Sequence, residues 1–206
     1  MSFDPRRDVA REAARLLYTR ASEEYLHAKE RAARSLGVQA MPSNHEVAVE
    51  LDLLADEIEG KTRAELIIKM RELALGLMRV LSDVRPVLRG SVWRGTARKG
   101  SDIDIDVYSN QPVEVKKLLE DLGYSVTGFK EKVAVSGRGM SRSTHIQVRL
   151  EDDIVGEVVV RPVEEHGLEV RCEVYGDVKK GLRLPELEKL MNTDPLRKFV
   201  PRRRYR

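Results

Sequence analysis

Three aspartates at alternate positions, Asp102, Asp104 and Asp106, are interleaved with Ile103, Ile105 and Val107. A helix would scatter both sets around its axis, because its period is 3.6 residues. An extended strand separates them. Residues i, i+2 and i+4 share one face, so the aliphatic side chains meet a core and the carboxylates line the opposite side. The segment therefore demands a sheet with one buried face. It also leaves the acidic face with a problem, since uncompensated carboxylates at this spacing repel one another and must be relieved by protonation or by a cation.

The residues just upstream suggest what shares that cation. Gly90-Ser91 follows the short apolar run Val87-Leu88, and Gly95 lies close behind. Glycine lets backbone N–H groups approach a phosphate closely, and a serine hydroxyl adds a donor. Arg94, Arg98 and Lys99 bring positive charge to the same turn. Together they outline a polyphosphate cradle, with Gly90, Ser91, Arg94 and Lys99 as the candidate nucleotide-binding residues. Hard Mg2+ takes carboxylate oxygens plus substrate phosphates. Two such ions ~3.5–4 Å apart stabilise both the attacking and the leaving oxygen of a phosphoryl displacement.

Around this core the periodicity divides the chain. From Asp8 to Ser35 apolar residues recur at steps of three and four, predicting one long helix that stops at Gly37. Ser43 followed by Glu46 reads as a capping box opening a second helix that ends at Gly60. A third runs from about Thr62 to Leu81, and Asp83 to Pro86 breaks it. After Val87 short β-type runs alternate with turns. Strands are expected at Ile103 to Tyr108, Tyr124 to Val135 with a break at Gly128, Thr144 to Leu150, Ile154 to Val163 and Leu168 to Tyr175. Helices are expected at Glu114 to Leu122 and Pro185 to Met191. The fold class is α+β, a helical unit at residues 1–84 followed by a mixed sheet with flanking helices at 85–195, and a basic tail at 196–206.

Composition bounds the setting. Of 206 residues 41% are hydrophobic and 34% charged, with net charge +3. That is enough apolar material for one sizeable core or two small ones. The single cysteine, Cys172, excludes an internal disulfide. No apolar run is long enough to span a membrane and no secretory leader is visible, so a cytoplasmic location is expected. The C-terminal run from Arg197 to Arg206 either neutralises phosphates of a nucleic acid or is simply a solvated basic end.

The stretch from Gly90 to Asp104 resembles the signature of the DNA polymerase β-like nucleotidyltransferases: a Gly-Ser turn, about ten residues, then an Asp-x-Asp pair on the next strand. Minimal nucleotidyltransferases, aminoglycoside nucleotidyltransferases and archaeal CCA-adding enzymes share it. The resemblance is close over residues 87–108 and looser to about 163. It implies a nucleotidyltransferase-type sheet and transfer of a nucleoside monophosphate from an NTP to a hydroxyl acceptor. Two Mg2+ or Mn2+ ions would be held by Asp102 and Asp104, and the phosphates by Gly90 and Ser91. A frame using Asp104 and Asp106 is the alternative. The family also carries a third carboxylate on a later strand shortly before a proline, where it assists deprotonation of the attacking hydroxyl. Here Val159 stands where that acid would be counted back from Pro162, and Glu157, two residues earlier on the same strand face, is the candidate for the role. The acceptor would be RNA, a tRNA-like molecule among the options, a small molecule or a protein side chain.

Other residues carry two readings. The loop from Ser136 to Thr144, rich in glycine, hydroxyls and arginine, either holds acceptor or triphosphate or is a solvent loop. His145 is expected to be structural. Trp93 either stacks on a base or packs over the strand ends. The oligomeric state is not encoded legibly. The competing function is a catalytically weak or inactive binding protein on the same fold, of the kind found in toxin–antitoxin modules.

Overall fold

The structure, a computed structural model, describes residues 4–136 and 139–202. The chain separates into two compact units. Among the described residues, one holds 4–63 together with Val170–Val178 and 200–202, and the other holds Ala64–Glu169 and Lys179–Phe199. The division thus falls inside a helix near residue 63, not at 84, because the apolar stripe of that helix from Ile67 onward belongs to the core of the sheet.

The first unit is built on α1 (Pro5–Tyr18), α2 (Tyr25–Leu36) and α3 (Asn44–Glu59). The single helix expected over Asp8 to Ser35 is in fact α1 and α2. Arg20 takes a left-handed φ of 57°, and Ser22 N–H bonds back to the Leu16 carbonyl at 3.1 Å, which closes the first helix. The reversal packs Ala28, Ala32 and Ala33 with Ala10, Ala13 and Ala14, small residues that let two helices approach closely. The capping box is present: Glu46 N–H donates to Ser43 Oγ, and Ser43 N–H donates to Glu46 at 2.7 Å. Gly60 then turns the chain into α4 (Lys61–Val80). The buried Arg63 ties this corner to Asp52 at 2.6 Å and Asp56 at 2.5 Å. Leu168 to Tyr175 is not a strand. It has only an isolated bridge from Arg171 to Val178, and its Tyr175 ring meets His45 edge-on at 5.7 Å.

The second unit holds β1 (Val87–Leu88), α5 (Gly90–Arg94), β2 (Ile103–Tyr108), α6 (Pro112–Asp121), β3 (Ser125–Ser136), β4 (Gly139–Arg149), β5 (Val155–Arg161), β6 (Leu182–Arg183) and α7 (Leu184–Thr193). The sheet order is β3-β4-β5-β2-β1-β6, with β2 parallel to β5 and every other pair antiparallel. The expected α+β class and mixed sheet are therefore observed. Ile103, Ile105, Val107, Ile146, Val148, Val158 and Val160 form one face, in a single core with residues of α4 to α7. Gly156 lets Leu77 of α4 come down onto β5, since a β-carbon there would stand 3.3 Å from the leucine Cδ2. The break expected at Gly128 is a register shift within one long strand. The stretch from Ser136 to Thr144, expected as a loop, is mostly strand: residues 139–144 pair with 131–136, while 137 and 138 lie outside the described residues.

Among the described residues no helix is long and apolar enough to cross a membrane.

Candidate active site

Alternation along β2 does what the sequence required. Ile103, Ile105 and Val107 are wholly buried in the core, and Asp104 and Asp106 occupy the opposite face. Asp102 lies just before the strand and is exposed. The parallel register sets Asp104 beside Glu157 of β5, so these two carboxylates share one face of adjacent strands.

The Gly-Ser turn faces the same aspartate. Arg89 N–H donates to the Asp104 carbonyl at 2.8 Å, the last link before the chain turns into α5. Gly90 there adopts φ 63°, a region costly for any residue with a β-carbon. Its side-chain space is already taken by the Asp104 carboxylate. Thr96 N–H closes the turn on the Ser91 carbonyl at 2.9 Å.

Burial drives the Asp104 carboxyl well up, to about 7, and repulsion from Glu157, Asp102 and Asp106 adds to it, while Lys179 opposes the shift. This is the electrostatic problem anticipated from the sequence, concentrated on one residue. The donor set suits a hard divalent ion: carboxylates in neighbouring positions, beside a glycine turn that lets the Asp104 carboxylate come close. Among the described residues no three acidic, histidine or cysteine side chains converge on one point at ligating range. Mg2+ needs no such cage, as it is held by one or two carboxylates with substrate phosphates and water completing the shell.

Asp106 differs from its neighbours. It is buried, with Oδ2 accepting from Arg89 Nε at 3.0 Å and Oδ1 facing Arg161 Nε at 3.1 Å. Both oxygens are thus engaged by guanidinium groups, which argues against the frame that pairs Asp104 with Asp106. Glu157 accepts from His145 Nδ1 at 3.0 Å, with Lys132 Nζ 4.0 Å away.

Of the four residues expected to bind phosphate, Gly90 stands against the Asp104 carboxylate and Ser91 follows it in α5. Lys99 is exposed in the loop before β2. Arg94 does not line the site. It is buried, its Nη1 donates to the Phe199 carbonyl at 2.8 Å, and its guanidinium lies 4.3 Å from the centre of the Trp93 ring. Trp93 itself is packed in the core. The basic tail is likewise not wholly loose. Pro195 and Arg197 offer their carbonyls to the buried Arg71, and Phe199 N–H donates to the Arg94 carbonyl. Residues 203–206 of the tail lie outside the described residues.

Sequence reasoning did not find Arg89, which joins Asp106 to the turn, nor Lys179, whose charge bears on Asp104. Their roles depend on strand order, which no local pattern reveals.

Residues 70–161 match the family model described as Nucleotidyltransferase domain. That stretch is similar to a nucleotidyltransferase domain, and the match takes in the second half of α4, the Gly-Ser turn, the aspartate strand and β5. Among solved structures, Cid1 in complex with the UTP analog UMPNPP is 18% identical, with a TM-score of 0.31 over 52% of this chain and 37% of that one. Cid1 in complex with its short product ApU gives 18% and 0.30 over the same shares. The chain therefore spans little more than a third of the length of these structures. A comparison with curated proteins returned no match.

Proposed function

We propose that this protein transfers a nucleoside monophosphate from an NTP to a hydroxyl of an RNA acceptor, releasing pyrophosphate. The observation that carries the reading is the triad of neighbours Gly90, Asp104 and Glu157: a glycine turn closed against a carboxylate, that carboxyl raised to about 7, and a second carboxylate in register beside it. A divalent cation would be held by Asp102 and Asp104, with Glu157 as the third acid, and would supply charge neutralisation to the phosphates. The acceptor oxygen forms its bond to the α-phosphorus as the bond to the β-phosphate oxygen breaks. The proton of the hydroxyl goes to the Glu157 oxygen that His145 leaves unengaged. Positioning and electrostatics provide most of the acceleration in such transfers.

RNA is favoured as acceptor by the net charge of +3 and the arginine-rich C-terminus. The test is incorporation of label from each of the four NTPs into RNA oligonucleotides with and without Mg2+, for the native chain and for Asp102→Ala combined with Asp104→Ala. Loss of Mg2+-dependent incorporation in the double variant is expected, and full activity there would overturn the site.

A second reading, a nucleotide-binding module without turnover, draws on the engagement of Glu157 by His145 and Lys132. Mg·NTP that raises the melting temperature by mass action without any incorporation would favour it.

A further inference from the structure

The face of the sheet that carries Asp104 continues across β5 and β4, and one arrangement on it is more specific than strand pairing requires. Directly opposite Glu157 on β4 stands Gln147, and opposite His145 stands Val159. Glu157 ignores its direct neighbour and turns diagonally to His145, where Oε1 lies 3.0 Å from Nδ1. The other ring nitrogen, Nε2, is 3.2 Å from the hydroxyl of Ser143, two residues back along the same strand. Diagonal neighbours on a sheet face are within reach of long side chains, but nothing in the register forces them to meet.

The chemistry of the three groups fixes the direction of both bonds. An ionised carboxylate only accepts, so Nδ1 must carry the hydrogen. In the neutral ring Nε2 is then an acceptor, and the Ser143 hydroxyl donates to it. The serine thus selects the ring form that can hold the glutamate. Both side chains are shielded, with His145 15% and Glu157 24% exposed. The competing cation, Lys132, is 54% exposed and 4.0 Å away, so solvent weakens its hold.

We infer that Ser143 and His145 form a positioning pair that holds the Glu157 carboxylate beside Asp104, restricting one of its oxygens and leaving the other for the reaction. The inference rests on the reading of these acids as the catalytic carboxylates. A glutamate has three side-chain torsions to order, so an unsupported carboxylate would sample many placements. Partners behind a ligating group typically contribute 10–100-fold in metal affinity or activity.

Three variants and two readouts test it. Asparagine at 145 keeps a donor near the Nδ1 position, and phenylalanine keeps the ring shape without one. In His145→Phe, Mn2+ affinity measured by calorimetry should weaken by roughly 10–100-fold, and kcat should fall by a similar factor with KM for NTP little changed. Ser143→Ala should follow in the same direction, and His145→Asn should recover most of both. Equal Mn2+ affinity in the native chain and His145→Phe would overturn the inference, and so would an asparagine variant no better than phenylalanine. The second readout needs no metal. Nitrogen NMR of 15N-histidine-labelled protein should show the Nδ1–H form of His145, reverting to the usual mixture in Glu157→Leu, which offers no acceptor. If the native chain binds no Mn2+, the catalytic reading falls. If instead the ring shows no Nδ1–H preference, the positioning pair falls by itself.

Discussion

A β-carbon built on Gly90 would stand 1.8 Å from Oδ2 of Asp104. The turn and the carboxylate therefore fill adjoining space, and any side chain on the first evicts the second. Gly90→Ala should leave the fold intact, because the clash is with the mobile end of a side chain and the left-handed backbone costs only about 1–2 kcal/mol. NMP transfer should fall on the order of 100-fold, since displacement of a reacting group by about 1 Å has effects of that size. Circular dichroism melting alongside labelled-NTP incorporation checks both halves.

Asp106 is expected to matter to stability in a way that Asp102 does not. Removing it takes the shared carboxylate from Arg89 and Arg161, which are partly exposed and keep acceptors in the Lys179 carbonyl and Glu165, a loss of about 1–3 kcal/mol. Denaturant titration of Asp106→Ala should show a clear fall in midpoint, while Asp102→Ala, at an exposed position, should melt close to the native chain. Equal melting of the two would contradict the division of labour along β2.

Arg71 is fully buried and donates to four carbonyls: Val92 at 3.1 Å, Pro195 at 2.5 Å, and Trp93 and Arg197 at 3.0 Å each. Arg71→Met would strand all four acceptors, at roughly 1–3 kcal/mol for each that water cannot reach. Arg71→Lys should rescue little, since one ammonium cannot reproduce the planar fork. Both variants should unfold well below the native midpoint in urea.

Asp104 should make the metal-free protein pH-sensitive. Its carboxyl is raised from 3.8 in the unfolded chain to about 7 in the folded one. Below the lower value both states hold the proton, and no difference arises. As pH rises between the two, the unfolded state gives up its proton while the folded state keeps it, so folding stability falls; above the upper value the loss is complete. Asp104→Asn should remove this decline, and the melting temperatures of the two proteins should diverge between pH 4 and about 8. Saturating Mg2+ should narrow the gap for the native chain alone, because a bound cation favours the ionised form.

The sequence made the strand, its acidic face and the Gly-Ser turn legible because each is a local pattern whose physics acts within a few residues. The capping box at Ser43 and Glu46 was legible for the same reason, and so was the break at Gly128. What stayed hidden depends on neighbours distant in the chain. Arg94 looked like a phosphate ligand by its place beside the turn, yet it is drawn inward by the Phe199 carbonyl, 105 residues away. His145 offered no ligand spacing along the chain, and its partner Glu157 is found only across β4 and β5. The reversal after Tyr18 was obscured because alanines continue a helical rhythm on both sides of it, so the break is written in the turn at Arg20 and not in the hydrophobic pattern.

The carbonyls of Pro195 and Arg197, held by Arg71 together with those of Val92 and Trp93, have a consequence for biosynthesis. Arg71 emerges from the ribosome more than a hundred residues before its last acceptors do. During that interval a guanidinium destined for the interior has only half its final partners, and the helix bearing Gly90 lacks its backing. A nascent chain halted short of residue 195 can possess every acid of β2 and β5 and still not present them in working order.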